Sequence, residues 1–356
     1  MKSLILILTS ILALAAPAQA AVTLAPKEGD VHFRDFGFRS GEHLEDLRMH
    51  YTTLGEPRRN GKGEITNAVM ILHGTGGTGA QFFRPQFADV LFAPGGLLDP
   101  AKYYIILPDG IGHGKSSKPS DGLKAAFPKY DYDDMVAAEV RLAREHLGVK
   151  QLRLVMGTSM GCMHAFVMAT KYPDLARAYM PLACLPTQLA GRNRVWRKMA
   201  MDAITADPAW QGGNYNAQPA GGLTTALDLL ALVGATPIQM QKTLPTRDAA
   251  DAYVEHNTRS QLASLDANDF LYQLAASRNY DPASRLESIT APVMWVNSAD
   301  DFINPPELGL AETYAPRIAK GRYVLIPTSE ATRGHGTHTW AALWQDLLKD
   351  LLDRSN

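Results

Sequence analysis

Six short apolar runs, at residues 68–72, 103–107, 152–156, 178–182, 293–296 and 323–326, recur along the chain with helical patterns between them, as at 132–147 and 160–172. Runs this short, bounded by Gly, Pro, Asn and Asp, read as buried strands. Strand–helix alternation with short connections predicts an α/β architecture, a mostly parallel sheet flanked by helices on both faces. Residues 30–40 and 43–54 precede this rhythm and read as a strand pair turning at Ser40-Gly41. The stretch from about 186 to 280 breaks it. There, amphipathic segments such as 193–204 and 248–262 are separated by Gly, Pro and Asn without a clear strand, the pattern of an inserted helical cap. The expected organisation is a sheet core over 21–185, a helical cap over 186–285 and the rest of the core over 286–356. Ligands of open α/β sheets sit beyond the carboxyl ends of the strands, so chemistry is sought there.

The first twenty residues, MKSLILILTSILALAAPAQA, stand apart. Lys2, an apolar core at 4–15 and the small-x-small end Ala18-Gln19-Ala20 have the layout of a cleaved signal peptide. That core is short for a spanning helix, and Pro17 closes it. Residues 1–20 are thus expected to be removed, leaving a periplasmic or secreted protein that begins near Ala21 and is not inserted in a membrane. The hydrophobic share of 46% supports a sizeable core. A formal net charge of -1, with basic residues scattered, gives no field for nucleic acid or an anionic membrane surface. Cys162 and Cys184 are the sole cysteines. Two are too few for a disulfide scaffold or a thiolate zinc site, and no metal is implied. Export permits a disulfide between them, but two buried thiols are the expectation.

Directly after the run 152–156 stands Gly157-Thr158-Ser159-Met160-Gly161, a G-x-S-x-G that passes at once into a helical pattern. Such a strand-to-helix turn exposes the serine hydroxyl, with glycines where side chains would collide. The helix N-terminus favours negative charge developing there. The bland alternative is a Gly/Ser turn without chemistry. A serine hydroxyl is a weak nucleophile and needs a base, which in turn needs an orienting acid. The order expected along such a chain is Ser, then Asp or Glu, then His. Asp300 and Asp301 follow the run 293–296, and His335 and His338 follow 323–326. Spacing alone leaves each pair open.

A tetrahedral intermediate also needs hydrogen-bond donors for its oxyanion. The backbone N–H of Met160, next after the serine, is one. The other should come from the loop after residues 68–72, which begins His73-Gly74-Thr75. Gly74, Gly76 and Gly79 in that loop also fit the G-x-G-x-x-G of a dinucleotide-binding turn. That reading requires an acid about twenty residues on, at the end of the next strand. Asp99 precedes its strand and Asp109 lies too far on. The glycines are therefore assigned to an oxyanion loop, with the Thr75 N–H as second donor and His73 shaping the loop through its backbone.

From about residue 54 to the C-terminus these features resemble the α/β-hydrolase superfamily, and within it the homoserine O-acetyltransferase-like group. Gly157-Thr158-Ser159-Met160-Gly161-Cys162-Met163 is similar to that group's G-T-S-M-G-G-M, and Asp207-Pro208-Ala209-Trp210-Gln211-Gly212-Gly213-Asn214-Tyr215 carries a second likeness. The resemblance implies an α/β-hydrolase fold with an inserted helical cap. It selects Asp301, which opens the superfamily's acid-x-hydrophobic-x-Pro, and it selects His335 in Gly334-His335 over His338. Asn193-Arg194-Val195-Trp196-Arg197 is similar to the group's N-x-V-x-R, whose arginine binds the substrate carboxylate, so that role falls on Arg197. Gly336 stands where the transferases carry an acid that helps hold the amino group of homoserine.

The expectation is an exported serine hydrolase that cleaves a carboxylic ester, or an amide or lactone, through an acyl-serine. Ser159 attacks, His335 moves the proton, Asp301 orients His335, and Thr75 and Met160 hold the oxyanion. No organic cofactor is implied. The partner is a small-molecule ester or acyl substrate, with a homodimer left open. The rivals are an acyltransferase of the homoserine O-acetyltransferase type and a non-catalytic binding protein on the same fold. Acetyl-CoA is cytosolic, whereas water is available to an exported enzyme.

Overall fold

The computed structural model describes residues 24–355. The expected signal peptide at 1–20 and the mature start near Ala21 lie outside the described residues. The strands are β1 (Lys27–Gly37), β2 (His43–Leu54), β3 (Ala68–Leu72), β4 (Tyr104–Pro108), β5 (Leu154–Thr158), β6 (Tyr179–Leu182), β7 (Val293–Ser298) and β8 (Gly321–Ile326). They form one sheet in the order β1-β2-β4-β3-β5-β6-β7-β8. β2 pairs antiparallel with both β1 and β4, and every later pairing is parallel. β3 to β7 are buried along their whole length. Parallel strands covered on both faces alternate poorly in sequence, which is why they appear as continuous apolar runs.

The helices are α1 (Pro85–Leu91), α2 (Tyr132–Arg141), α3 (Met160–Lys171), α4 (Gly191–Ala206), α5 (Ala220–Gly234), α6 (Pro237–Thr243), α7 (Arg247–Leu262), α8 (Ala267–Ala275), α9 (Leu310–Tyr314) and α10 (Gln345–Arg354). One apolar cluster joins Met135 and Val136 of α2 and Phe166 of α3 to Val155 and Trp295 of the sheet. A second packs Phe87 and Leu91 of α1 and Leu348 and Leu351 of α10 against Val69 and Met294. α4 to α8 all lie between β6 and β7 and have their own cluster, in which Trp196, Leu223, Leu227 and Phe270 meet Ile303. α2 starts sharply because the Asp131 carboxylate accepts from the N–H groups of Asp133 and Asp134 while Asp134 reaches back to the N–H of Asp131. This cap makes Tyr132 the first helical residue.

Two details depart from the sequence reading. Residues 132–147 were expected as one helix, but α2 ends at Arg141 and a π-helical turn, Leu142–His146, follows it. The strand expected at 152–156 runs two residues later. Gly157 still pairs with Leu72 and Thr158 with Leu182, so the first residues of the serine pentapeptide belong to the strand.

The cysteines require a correction. Cys162 and Cys184 form a disulfide, with Cα atoms 5.8 Å apart, instead of two buried thiols. The cause is register. β5 and β6 are neighbours paired at Thr158 and Leu182, so the first turn of α3 and the residue just beyond β6 emerge side by side. Counting cysteines cannot reveal that adjacency.

The bridge closes a loop across a sequence separation of 22. Chain-entropy arguments give such a loop about 3 kcal/mol of stabilisation. Urea unfolding of the Cys162→Ala/Cys184→Ala variant should show a loss of that order against the oxidised protein. A variant that matches it would remove the structural role.

Candidate active site

Ser159 lies between the last residue of β5 and the first of α3, with φ at 55° and ψ at -108°. This region is costly for a side-chain-bearing residue, of the order of 1–3 kcal/mol, and persists only where packing dictates it. The packing here is tight. A Cβ on Gly157 would meet the Gly161 carbonyl oxygen at 2.0 Å, and one on Gly161 would meet the Leu72 carbonyl oxygen at 2.2 Å. The helix start can therefore lie across β3 only with glycine at both places. The Ser159 N–H is tied to the Leu182 carbonyl and the Gly161 N–H to the His73 carbonyl, both at 2.9 Å.

The base and acid come from the ends of β8 and β7. His335 Nε2 is 2.8 Å from Ser159 Oγ, and His335 Nδ1 is 2.8 Å from Asp301 Oδ2. Asp301 also accepts from the N–H groups of Ile303 at 2.8 Å and Asn304 at 3.2 Å, and from Asn304 Nδ2 at 3.1 Å. Burial opposes its ionisation. The His335 ring and the Asn304 donors outweigh that opposition and hold the carboxyl below its usual range. With Asp301 ionised, His335 carries its hydrogen on Nδ1 and presents Nε2 as acceptor to the serine hydroxyl.

Asp300 has a different task. It accepts from the hydroxyl of Ser298, from Thr332 Oγ1 at 2.8 Å and from the Gly334 N–H at 3.1 Å. Gly334 takes a positive φ of 58° immediately before His335. One aspartate thus holds the imidazole and its neighbour holds the backbone that delivers it. The sequence offered Asp300 only as an alternative acid for the triad, because Thr332 and Gly334, which define its task, lie on the next loop.

His338 is not placed at the serine. Its ring stands edge-on to His335, with centroids 5.2 Å apart, and its Nδ1 has no partner. Burial, with the nearby His335, pushes its pKa down to about 3. The ring is neutral at any ordinary pH and acts as packing.

The oxyanion loop is fixed by a side chain as well as by backbone. His73 Nδ1 donates to the Gly74 carbonyl at 2.8 Å, and its Nε2 accepts from the Gly110 N–H at 2.9 Å. The Gly77 N–H also reaches the Gly74 carbonyl, at 3.0 Å. A trans peptide points its C=O and N–H in opposite directions. Anchoring the Gly74 carbonyl therefore sets the direction of the Thr75 N–H. Neither the Thr75 nor the Met160 N–H donates to another group among the described residues. Gly74 packs on Ser159, where an added Cβ would lie 3.3 Å from the serine Cβ. The role of the His73 ring was missed in the sequence because only its backbone was considered.

Arg197, on α4, is 2% exposed. Its Nε donates to Asn193 Oδ1 at 3.1 Å, while Nη1 is buried without a partner. No carboxylate pairs with it among the described residues. Burial lowers its pKa, and the Tyr132 phenol beside it works in the opposite direction.

Two expectations test this geometry. Asp300→Ala frees the loop carrying His335, and ångström-scale misplacement of a reacting group costs about 10–100-fold in rate. A kcat on an activated ester within twofold of the parent would show that Asp300 does not position the histidine. For His338 the folded pKa lies below the unfolded 6.5, so the unfolded state binds the extra proton. The contribution is intact above pH 6.5 and is lost as pH falls toward 3, by about 5 kcal/mol at most. His338→Gln should flatten the acid side of the stability curve over that interval. A curve parallel to the parent's would contradict the neutral, buried assignment.

A family model described as the alpha/beta hydrolase fold matches residues 67–330. The homoserine O-acetyltransferase of Geobacter sulfurreducens is 28% identical over 335 residues, covering 83% of this chain and 89% of its own. In three dimensions, the homoserine O-acetyltransferase of Bacillus anthracis superimposes with a TM-score of 0.81 at 21% identity, covering 93% of this chain and 99% of its own. An acetylester hydrolase from Corynebacterium glutamicum gives 0.78 at 22% identity, covering 92% and 96%. At such identities the structural likeness speaks for the fold. The chain is an enzyme that belongs to the α/β-hydrolase fold family, and it is similar to the homoserine O-acetyltransferases of that fold.

Proposed function

We propose that this enzyme is an exported serine hydrolase that cleaves a carboxylic ester through an acyl-serine. The observation that carries the reading is His335, with one ring nitrogen 2.8 Å from Ser159 Oγ and the other 2.8 Å from Asp301. Ser159 attacks the ester carbonyl as His335 Nε2 takes the hydroxyl proton, and Asp301 stabilises the resulting imidazolium. The oxyanion is held by the N–H groups of Thr75 and Met160. His335 then gives the proton to the departing alcohol. Water, deprotonated by the same ring, resolves the acyl-enzyme and regenerates Ser159. Arg197 serves a carboxylate on the substrate.

Export is supported by the layout of residues 1–20 and by the Cys162–Cys184 bridge, since disulfides persist in oxidising compartments. The choice of water is supported by Gly336. Its φ is not in the left-handed region, and an added Cβ would meet only the Arg333 Cβ, at 3.7 Å. The backbone would accept an acidic residue there, yet none is present to hold an amine. A second reading is an acyltransferase that passes the acyl group to a non-water acceptor. The homoserine O-acetyltransferase relatives favour it.

A fluorophosphonate probe should label the mature protein on Ser159, and Ser159→Ala should fold and lose the label. An adduct mapped to another serine overturns the nucleophile. Short activated esters should be hydrolysed without useful stimulation by homoserine. If acetyl-CoA and homoserine yield O-acetylhomoserine faster than the thioester is hydrolysed, the transferase reading replaces this one.

A further inference from the structure

Two features that the mechanism leaves separate meet at the exit of β6. The first is the bridge. Cys162 lies in the first turn of α3, just after the nucleophile, and is bonded to Cys184, just beyond the end of β6. Cys162 is also where Gly157-Thr158-Ser159-Met160-Gly161-Cys162-Met163 departs from the G-T-S-M-G-G-M pattern it resembles. The second is Asn304, on the loop of the catalytic acid and 3% exposed. Its side-chain nitrogen donates to Asp301 Oδ2 at 3.1 Å and to the Ala183 carbonyl at 3.0 Å. A carboxylate and a carbonyl only accept, so the amide must present its nitrogen here, with one hydrogen for each.

The backbone that receives Asn304 is braced on both sides. Ala183 takes a positive φ of 66°, and its N–H is bonded to the Val296 carbonyl at 2.9 Å. The Cys184 carbonyl accepts from Trp295 Nε1 at 2.9 Å and from Asn297 Nδ2 at 3.2 Å. Val296, Trp295 and Asn297 all belong to β7, the strand that leads to Asp301. Residues 183 and 184 are therefore tied to the acid's strand by hydrogen bonds. They are tied to the nucleophile's helix by a covalent bond.

The two oxygens of Asp301 show what this tie controls. Oδ1 is held by the N–H groups of Ile303 and Asn304, on its own loop. Oδ2 faces His335 Nδ1 and has Asn304 Nδ2 as its other partner. Without that amide, Oδ2 would follow the imidazole instead of setting its place. We propose that Asn304 and the Cys162–Cys184 bridge are positioning residues for the triad. The bridge fixes the exit of β6 relative to Ser159, and Asn304 carries that reference to the oxygen that orients His335. Nucleophile and acid are thus joined by a path that does not pass through the histidine. This rests on the serine mechanism proposed above.

The test measures kcat and KM on 4-nitrophenyl acetate, and the rate at which a fluorophosphonate labels Ser159. Each protein is first matched to the parent by near-ultraviolet circular dichroism. Asn304→Leu keeps the branched shape and removes both donors. It should lower kcat and the labelling rate by about 10–100-fold while KM stays within about twofold, because orientation of the reacting groups is what is lost. Cys162→Ala/Cys184→Ala should lower both rates by about tenfold. If that variant does not fold, Cys162→Gly/Cys184→Ala, which restores the glycine of the resembled motif, takes its place. Removing the bridge and Asn304 together should be no slower than Asn304→Leu alone, since residues on one path are not additive. Losses that multiply would mean two independent defects and would overturn the link. A kcat for Asn304→Leu within about twofold of the parent, or a loss confined to KM, would overturn the positioning role. A parent that is labelled and active while the variants match it removes this inference alone. A parent neither labelled at Ser159 nor active on the ester removes the hydrolase reading and this inference together.

Discussion

The site depends on how closely the start of α3 can approach β3. Gly161 lies against the Leu72 carbonyl, at a distance no Cβ would tolerate, and its N–H is bonded to His73. That approach forces the chain through Ser159 at a positive φ, which tips the hydroxyl out of the sheet toward His335. It also brings the loop after β3 alongside the nucleophile, so that Thr75 and Met160 are neighbours although far apart in sequence. A wider separation would relax the serine and disperse the donors at once. The backbone strain at Ser159 and the assembly of the oxyanion donors are two results of one packing contact.

Buried charge divides the site into a finished half and an unfinished one. Asp301 is buried but receives hydrogen bonds from His335, Ile303 and Asn304, so its ionised form is stabilised in the free protein. Preorganisation of this kind leaves little to rearrange when the imidazole becomes charged. Arg197 is buried as deeply, but it has no carboxylate among the described residues; its Nε donates to Asn193 and its guanidinium lies over the Trp196 ring. A buried guanidinium without a counter-ion costs a fold about several kcal/mol. In the proposed reading the contrast separates machinery that is ready in advance from machinery that waits for substrate.

Much of the core was legible because its signals are local. Apolar runs mark the buried strands, and G-x-S-x-G marks the turn, since a glycine there answers a clash within a few residues. The strand carrying it was misplaced by two residues because Gly157 and Thr158 look like turn residues while still pairing with Leu72 and Leu182. What was not legible is relational. The Cys162–Cys184 bridge follows from which strands are neighbours. The work of Asp300 depends on a loop 34 residues away. Tyr132 carries no motif at all, being defined locally only by the Asp131 cap that starts its helix. Spacing could not choose between His335 and His338, because the distinction is contact with Ser159 and Asp301, which a sequence does not display.

The acyl acceptor is governed by the charges that surround the acyl-enzyme. A zwitterionic amino acid brings one positive and one negative group, and each needs an opposite partner once water is excluded. In the proposed reading Arg197 answers the negative group. For the positive one, position 336 offers only the hydrogen of a glycine, although its backbone conformation and the space around it would admit a carboxylate. An ammonium bound there would be desolvated with no carboxylate at that position to offset it. An anionic molecule meets no such obstacle, because it supplies the charge the site lacks. A change of one residue beside His335 is therefore enough to leave the nucleophile, base and oxyanion donors intact while altering which molecules can use them. In the proposed reaction the scaffold sets how an acyl-serine is made, and the local balance of charge sets what may take the acyl group away.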